Sequence, residues 1–165
     1  MKHAGFTIIE LAVTMLLIGI VVTLTAPAFS EFLMSQRRID AAQQLASGIR
    51  TARTEAILRS QSVVIRAIDE DWSKGWQIVA DPKGSEDDLV LTERTRSGKV
   101  PIFGNFHFVR QIRFNALGVP AGNGFVAGKL FICDAKEAVS HHAVVMAKTG
   151  RVQIESGTKP EELCG

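Results

Sequence analysis

The stretch Gly5–Phe29, GFTIIELAVTMLLIGIVVTLTAPAF, decides how this chain is organised. From Phe6 to Phe29 the only ionisable side chain is Glu10. As a helix rising 1.5 Å per residue, the segment reaches roughly 36 Å, enough to cross a hydrocarbon layer about 30 Å thick. It predicts a membrane-spanning helix. Ahead of it Lys2 is the one firm positive charge, which favours a cytoplasmic N-terminus and an exported remainder. Glu10 is the anomaly, because a carboxylate inside a spanning segment is costly unless it is neutralised or paired.

Working outward, the whole chain has 165 residues, of which 46% are hydrophobic and 22% charged, with a net charge of +2, two cysteines and no tyrosine. That balance excludes a disordered chain, a collagen-like repeat and a cysteine-dense miniprotein, and the length beyond the apolar segment suits one small domain. Three readings of the N-terminus compete. In a cleaved secretory signal, Lys2 supplies the basic region, Leu11–Leu24 the apolar region and Ala26-Pro27-Ala28 the cleavage site. In a plain anchor nothing is cut. Glu10 fits neither, and a third reading makes it a partner for an ammonium at matching depth, selecting a register between subunits. Pro27 lacks the helical N–H and is expected to bend the helix near the membrane surface.

From Ser30 to about Ser60, Phe32, Ile39, Ala42, Leu45, Ile49, Ala52 and Ala56 recur at helical spacing and predict a core-facing stripe. Arg37, Arg38, Arg50, Arg53 and Arg59, against Asp40 and Glu55, read as a solvated or filament-facing surface. Beyond Ser60 the period shifts towards two. Ser62–Ile68, Trp76–Ala80, Leu89–Arg94, Phe106–Phe114, Gly128–Cys133, Ala143–Lys148 and Arg151–Glu155 read as strands. Turn signals stand at Asp69–Asp71, Asp81–Gly84, Gly118-Val119-Pro120, Gly122-Asn123-Gly124 and Thr149-Gly150. The fold class is therefore α+β: one long N-terminal helix packed on an antiparallel, split β-sheet head.

The string Gly5-Phe6-Thr7-Ile8-Ile9-Glu10-Leu11 with the apolar run after it resembles the prepilin signature of type IV pilins and type II secretion pseudopilins. Ala52-Arg53-Thr54-Glu55-Ala56, Gly75-Trp76, Phe114-Asn115-Ala116-Leu117-Gly118 and Gly150-Arg151-Val152 resemble, in order, markers of the FimT/GspH family. The resemblance implies the type IV pilin fold and four regions: a leader over 1–5, a transmembrane and filament-core helix over 6–29, an amphipathic helix over 30–60 and a β-rich head over 61–165. It implies cleavage by prepilin peptidase between Gly5 and Phe6, N-methylation of Phe6, and Glu10 paired with the terminal ammonium of a neighbouring subunit. Loss of Lys2 with the leader lowers the net charge to +1.

Three destinations lie within this group: a minor pilin that primes a type IV pilus and stays at its tip, a DNA-binding minor pilin of natural transformation, and a secretion pseudopilin. The first is favoured. The DNA-binding members carry a Gly-Arg-x-Arg stretch, whereas Gly150-Arg151-Val152-Gln153 lacks the second arginine, leaving Arg151 and Lys148 as the contacts DNA would use. Residues Phe125–Gly165 carry five basic and five acidic side chains, a poor balance for phosphate. Arg94, Arg96, Lys99, Arg110 and Arg113 are more basic but could pair with Glu86-Asp87-Asp88. The partners implied are other minor and major pilins, prepilin peptidase and inner-membrane lipid before assembly, with DNA not favoured.

Cys133 and Cys164 are the two cysteines. An exported head lies in a disulfide-permissive compartment, and C-terminal disulfides are common in type IV pilins, so the pair is expected to be bonded, with two free thiols as the alternative. His141-His142 lacks the partners of a metal site and reads as a surface turn, and Ser140 beside it lacks a nucleophile-elbow motif. No cofactor, metal or catalytic residue is expected, and the chain reads as an enzyme's substrate rather than an enzyme.

Overall fold

The computed structural model describes residues 7–80, 88–122 and 126–165, without the side chains of residues 24–28 and of His107. Gly5, Phe6, the Asp81–Gly84 turn, Glu86-Asp87 and the Asn123-Gly124 turn therefore lie outside the described residues, as does the Pro27 side chain. The chain divides into two compact units, Met1–Gln36 and Arg37–Gly165. One helix, α1 (Ile8–Arg59), provides nearly all of the described first unit and enters the second.

Local chemistry fixes both ends of α1. At its start the Glu10 N–H donates to Thr7 Oγ1 at 3.3 Å, and the Thr7 N–H donates to Glu10 Oε2 at 3.3 Å, the two reciprocal bonds of a capping box. At its end Ser60 turns left-handed (φ 52°), the Gln61 N–H reaches the Ala56 carbonyl and the Ser60 N–H the Ile57 carbonyl. Those two bonds are a Schellman stop, with serine where glycine is usual. In the first unit the apolar residues Ile8–Val22 are exposed, as are Phe29 and Phe32. Among the described residues no helix is long and apolar enough to cross a membrane. The segment expected to do so continues through residues 24–28, beyond the described side chains.

The second unit holds two four-stranded antiparallel sheets. Its strands are β1 (Val63–Ile68), β2 (Asp71–Ala80), β3 (Leu89–Thr95), β4 (Ile102–Gly104), β5 (Gln111–Phe114), β6 (Gly128–Cys133), β7 (Val139–Met146) and β8 (Val152–Pro160). The orders are β3-β2-β1-β5 and β4-β6-β7-β8, the split sheet expected from the sequence. β1 and β2 are joined by Asp69 and Glu70, both at positive φ (50° and 61°), the type I′ geometry that matches strand twist.

Buried Ala41, Ala42, Leu45, Ala46, Ile49, Ala52 and Ala56 of α1 share one core with Trp76, Ile78, Phe114, Leu130, Ile132 and Val144 from both sheets. The small side chains let the helix lie close. A Cβ at Gly48 would stand 2.5 Å from the Trp76 indole nitrogen, so glycine is what this approach requires. The expected stripe is corrected at Phe32, which is exposed and belongs to the first unit. Ala41 and Ala46 widen it, because a helix that shares its core with two sheets buries more than one row.

One polar stitch joins the sheets, and a second ties β2 to the turn before β5. The Ile102 N–H donates to Ser73 Oγ at 2.9 Å, and the Trp72 indole N–H donates to the Phe108 carbonyl at 2.9 Å. The second explains a correction: Phe106–Phe114 is not one strand. Phe106–Phe108 is a 3₁₀ turn with Phe106 at φ 45°, and the strand begins at Gln111. Alternating aromatics there imitate a strand, but Asn105 Oδ1 accepts the Lys129 N–H at 2.7 Å and Trp72 draws the carbonyls inward. The three-residue β4 is too short to show a period and is not among the expected strands.

Candidate functional site

At the first end of α1, Glu10 is exposed and its carboxylate accepts from both the backbone N–H and the hydroxyl of Thr7, the latter at 3.2 Å. Within one chain the capping box therefore occupies the charge that is awkward in the sequence. The capping geometry leaves the carboxylate at the helix N-terminus, where the dipole favours negative charge.

The second locus lies in the second unit, at the far end of α1. Arg53 is wedged between two left-handed glycine turns, Gly118 (φ 69°) and Gly150 (φ 79°). Its Nη1 donates to the Gly150 carbonyl at 3.0 Å, and a Cβ on Gly150 would come within 3.2 Å of its guanidinium. Neighbouring Arg50 donates from Nη2 to the Val152 carbonyl at 3.0 Å. Ala52–Ala56, Phe114–Gly118 and Gly150–Val152, far apart in the chain, thus meet around one side chain. Arg50, Arg53, Ile57 and Arg151, with Gly150 and Val152, border a cavity of about 400 Å³. The Arg53 Nε–H is buried and has no hydrogen-bond partner among the described residues.

The helix arginines therefore do not form one solvated face. Arg38 also turns inward, its side chain 11% exposed, and pairs with Asp134 at 3.0 Å. Helical periodicity locates such residues on a face but cannot show that carbonyls of the last strands come within their reach. In the other basic group the described partners are different ones, while Glu86 and Asp87 lie outside the described residues. Arg94 and Arg96 donate to Gln44 Oε1 at 3.0 and 3.3 Å, Arg110 pairs with Glu70, and Asp88 takes Arg66 at 3.0 Å. Burial, with Arg94 alongside, lowers the Arg96 guanidinium from its ordinary value, against the opposing pull of Asp40.

Cys133 and Cys164 are disulfide-bonded, with Cα atoms 5.5 Å apart. The bond ties the end of β6 to the 3₁₀ turn Glu162–Cys164 that follows β8. His141-His142 lies on β7 rather than in a turn. β8 continues to Pro160 and carries the pairing past the histidines, with a register shift that sets His141 opposite two residues, Gly157 and Thr158. The rings take separate partners: His141 Nε2 is 3.3 Å from Asp134, while His142 Nδ1 is 3.1 Å from Ser156 Oγ. Backbone donation from Lys136 holds the Asp134 carboxyl below its ordinary range, helped by His141 and Arg38. Burial lowers His142, with His141 and Arg38 adding to the effect. An open groove of about 430 Å³ crosses β6, β7 and β8, with Phe106 and Leu163 on its walls. Among the described residues no group of three or more histidine, cysteine or acidic side chains is placed to hold a metal.

Comparison with known proteins follows this division. Residues 1–26 match the prokaryotic N-terminal methylation motif, and residues 41–150 match the family described as type II transport protein GspH. Curated protein sequences give no match. Among solved structures, the type IV minor pilin FimU of Pseudomonas aeruginosa superposes with a TM-score of 0.65 at 22% identity, over 79% of this chain and 98% of that one. A second crystal form of the same protein gives 0.62 at 22% identity, over 74% and 98%. At this identity the likeness establishes the fold, which is that of a type IV pilin. The family match spans most of the chain, and with the methylation motif ahead of it the protein belongs to the GspH family, as a pilin-type structural protein and not an enzyme.

Proposed function

We propose that this chain is a minor pilin that takes part in initiating a type IV pilus and stays in the complex at its tip. The observation that carries the reading is the pairing of an N-terminal methylation motif with a GspH-type head on a helix running from Ile8 to Arg59. Prepilin peptidase cuts after Gly5 and methylates Phe6. Residues 6–29 hold the precursor in the inner membrane with a periplasmic head, then become filament core, and residues 30–60 carry the helix into the head. Pro27 loosens the helix near the membrane surface. On assembly, Glu10 exchanges its bonds to Thr7 for the Phe6 ammonium of a neighbouring subunit, an exchange favoured because both charges are otherwise unpaired in an apolar medium.

Mass spectrometry of the native protein tests the processing: an N-methylated Phe6 is expected, and a mature terminus at Phe29 refutes it. Deletion of the gene tests the role, with piliation expected to fall. The family description supports a second reading, a pseudopilin of type II secretion. Normal pili with lost protein secretion would select it, and normal pili with lost DNA uptake would select the DNA-binding alternative through Arg151 and Lys148.

A further inference from the structure

The geometry points to the corner around Arg53 as the docking surface for an acidic segment of another pilin-type subunit, one whose carboxylate enters the arginine cavity while apolar side chains cover its rim. This rests on the filament reading above and names the face that reading leaves open. Arg50, Arg53 and Arg151 line the cavity, and no carboxylate stands among its described lining residues. Two of the three guanidiniums are fixed by bonds to the Val152 and Gly150 carbonyls, so little side-chain freedom remains to be lost on binding. Arg50 and Arg151 are the exposed arginines of the lining, and a planar guanidinium fork matches a carboxylate.

The rim determines the class of partner. Leu117 is 78% exposed and Leu58 74%, with Ile57 and Val119 exposed beside them. Gly118, between Leu117 and Val119, lies against the Ile57 side chain, so the aliphatic groups and the cavity belong to one surface. An apolar patch around a fixed arginine cluster is the composition of a protein interface. A nucleic acid instead requires a run of cations along successive phosphates, and here the guanidiniums converge on one cavity bordered by aliphatic side chains.

The test uses the full chain in its own cells, with a photoreactive phenylalanine replacing Leu58. Irradiation is expected to link it to one segment of another pilin-type subunit, a segment containing Asp or Glu. Arg151→Glu and Leu117→Ser each change one exposed side chain, and each is expected to reduce the adduct about tenfold, equivalent to about 1.4 kcal/mol. Reversing the captured carboxylate to lysine is expected to restore the adduct with Arg151→Glu. Retention of the Cys133–Cys164 bond and of protease resistance verifies that the variants fold. An adduct removed by nuclease, an adduct unchanged by both substitutions, or no adduct overturns the proposal. Presence of the unmodified chain in sheared filaments reports separately on the filament role. If the adduct forms in the membrane but the chain is absent from filaments, that role fails and the docking surface stands.

Discussion

Replacing both Cys133 and Cys164 by alanine removes a bond that closes a sequence separation of 31 residues. The chain-entropy relation assigns such a closure about 12 cal/mol/K, or about 3.7 kcal/mol at 25 °C, acting through the denatured state. The native tail has further support: β7 pairs with β8 as far as Val139 and Pro160, and the Glu161 N–H reaches the Ala138 carbonyl. The double variant should therefore keep its native fold while losing stability. Trp72 and Trp76, the only two tryptophans, are 1% and 2% exposed in the head core, so fluorescence of the full chain in detergent follows head unfolding. With a urea slope of about 2 kcal/mol/M, the midpoint should fall by about 1.8 M, and reduction of the parent protein should produce the same shift. A midpoint change below about 0.5 M refutes the reasoning, since the open chain would then have no entropy to lose. Local loss of the tail with an unmoved tryptophan transition would refute it too, by uncoupling the tail from the core.

Three further outcomes follow from packing and charge. Gly75→Ala places a Cβ against the Arg94 carbonyl at φ 122°, and should cost about 3 kcal/mol or more, read as loss of soluble, disulfide-bonded head. Gly48→Ala meets the Trp76 ring and the end of the Ile65 side chain, and should cost about 1–3 kcal/mol with a shifted tryptophan emission. Arg53→Ala loses a charged hydrogen bond to Gly150 and the packing of two turns, about 1.5–3 kcal/mol in urea melts, while Arg53→Gln should recover part of it. On acidification, His142 and Asp134 act in the same direction. Each has a folded pKa below its unfolded value, so the stability each contributes is complete above about pH 6.5 for His142 and about pH 4 for Asp134, and is lost as pH falls through the folded value. The melting temperature should fall in two stages, with His142→Gln removing the upper stage and Asp134→Asn the lower.

What was legible in the sequence was whatever depends on neighbours along the chain. The α1 stripe from Ala42 to Ala56 and the bounds of β6 emerge from period alone, because each residue there meets the core through its own element. The arginine corner was only half legible. Its three stretches stand out as family markers, but their convergence on Arg53 depends on how the Gly118 and Gly150 turns stack, which no spacing encodes. The aromatic run after Asn105 misleads for the opposite reason: its alternation is real, but the Trp72 indole and the Asn105 side chain take the backbone out of the ladder. In the same way His141 looks like a turn residue because β8 extends beyond the last apolar position of its pattern.

The alanine-rich face of α1 has a mechanical consequence. Within the head, a pull along the helix axis would load the contacts of Leu45 and Ile49 with both sheets in parallel, and Arg50 and Arg53 would transmit part of the force to β8 and the turn before it. Contacts loaded in shear share the strain, whereas contacts that are peeled break one at a time. The same narrow side chains that bring helix and sheets together would thus make the head a firm grip on a tether.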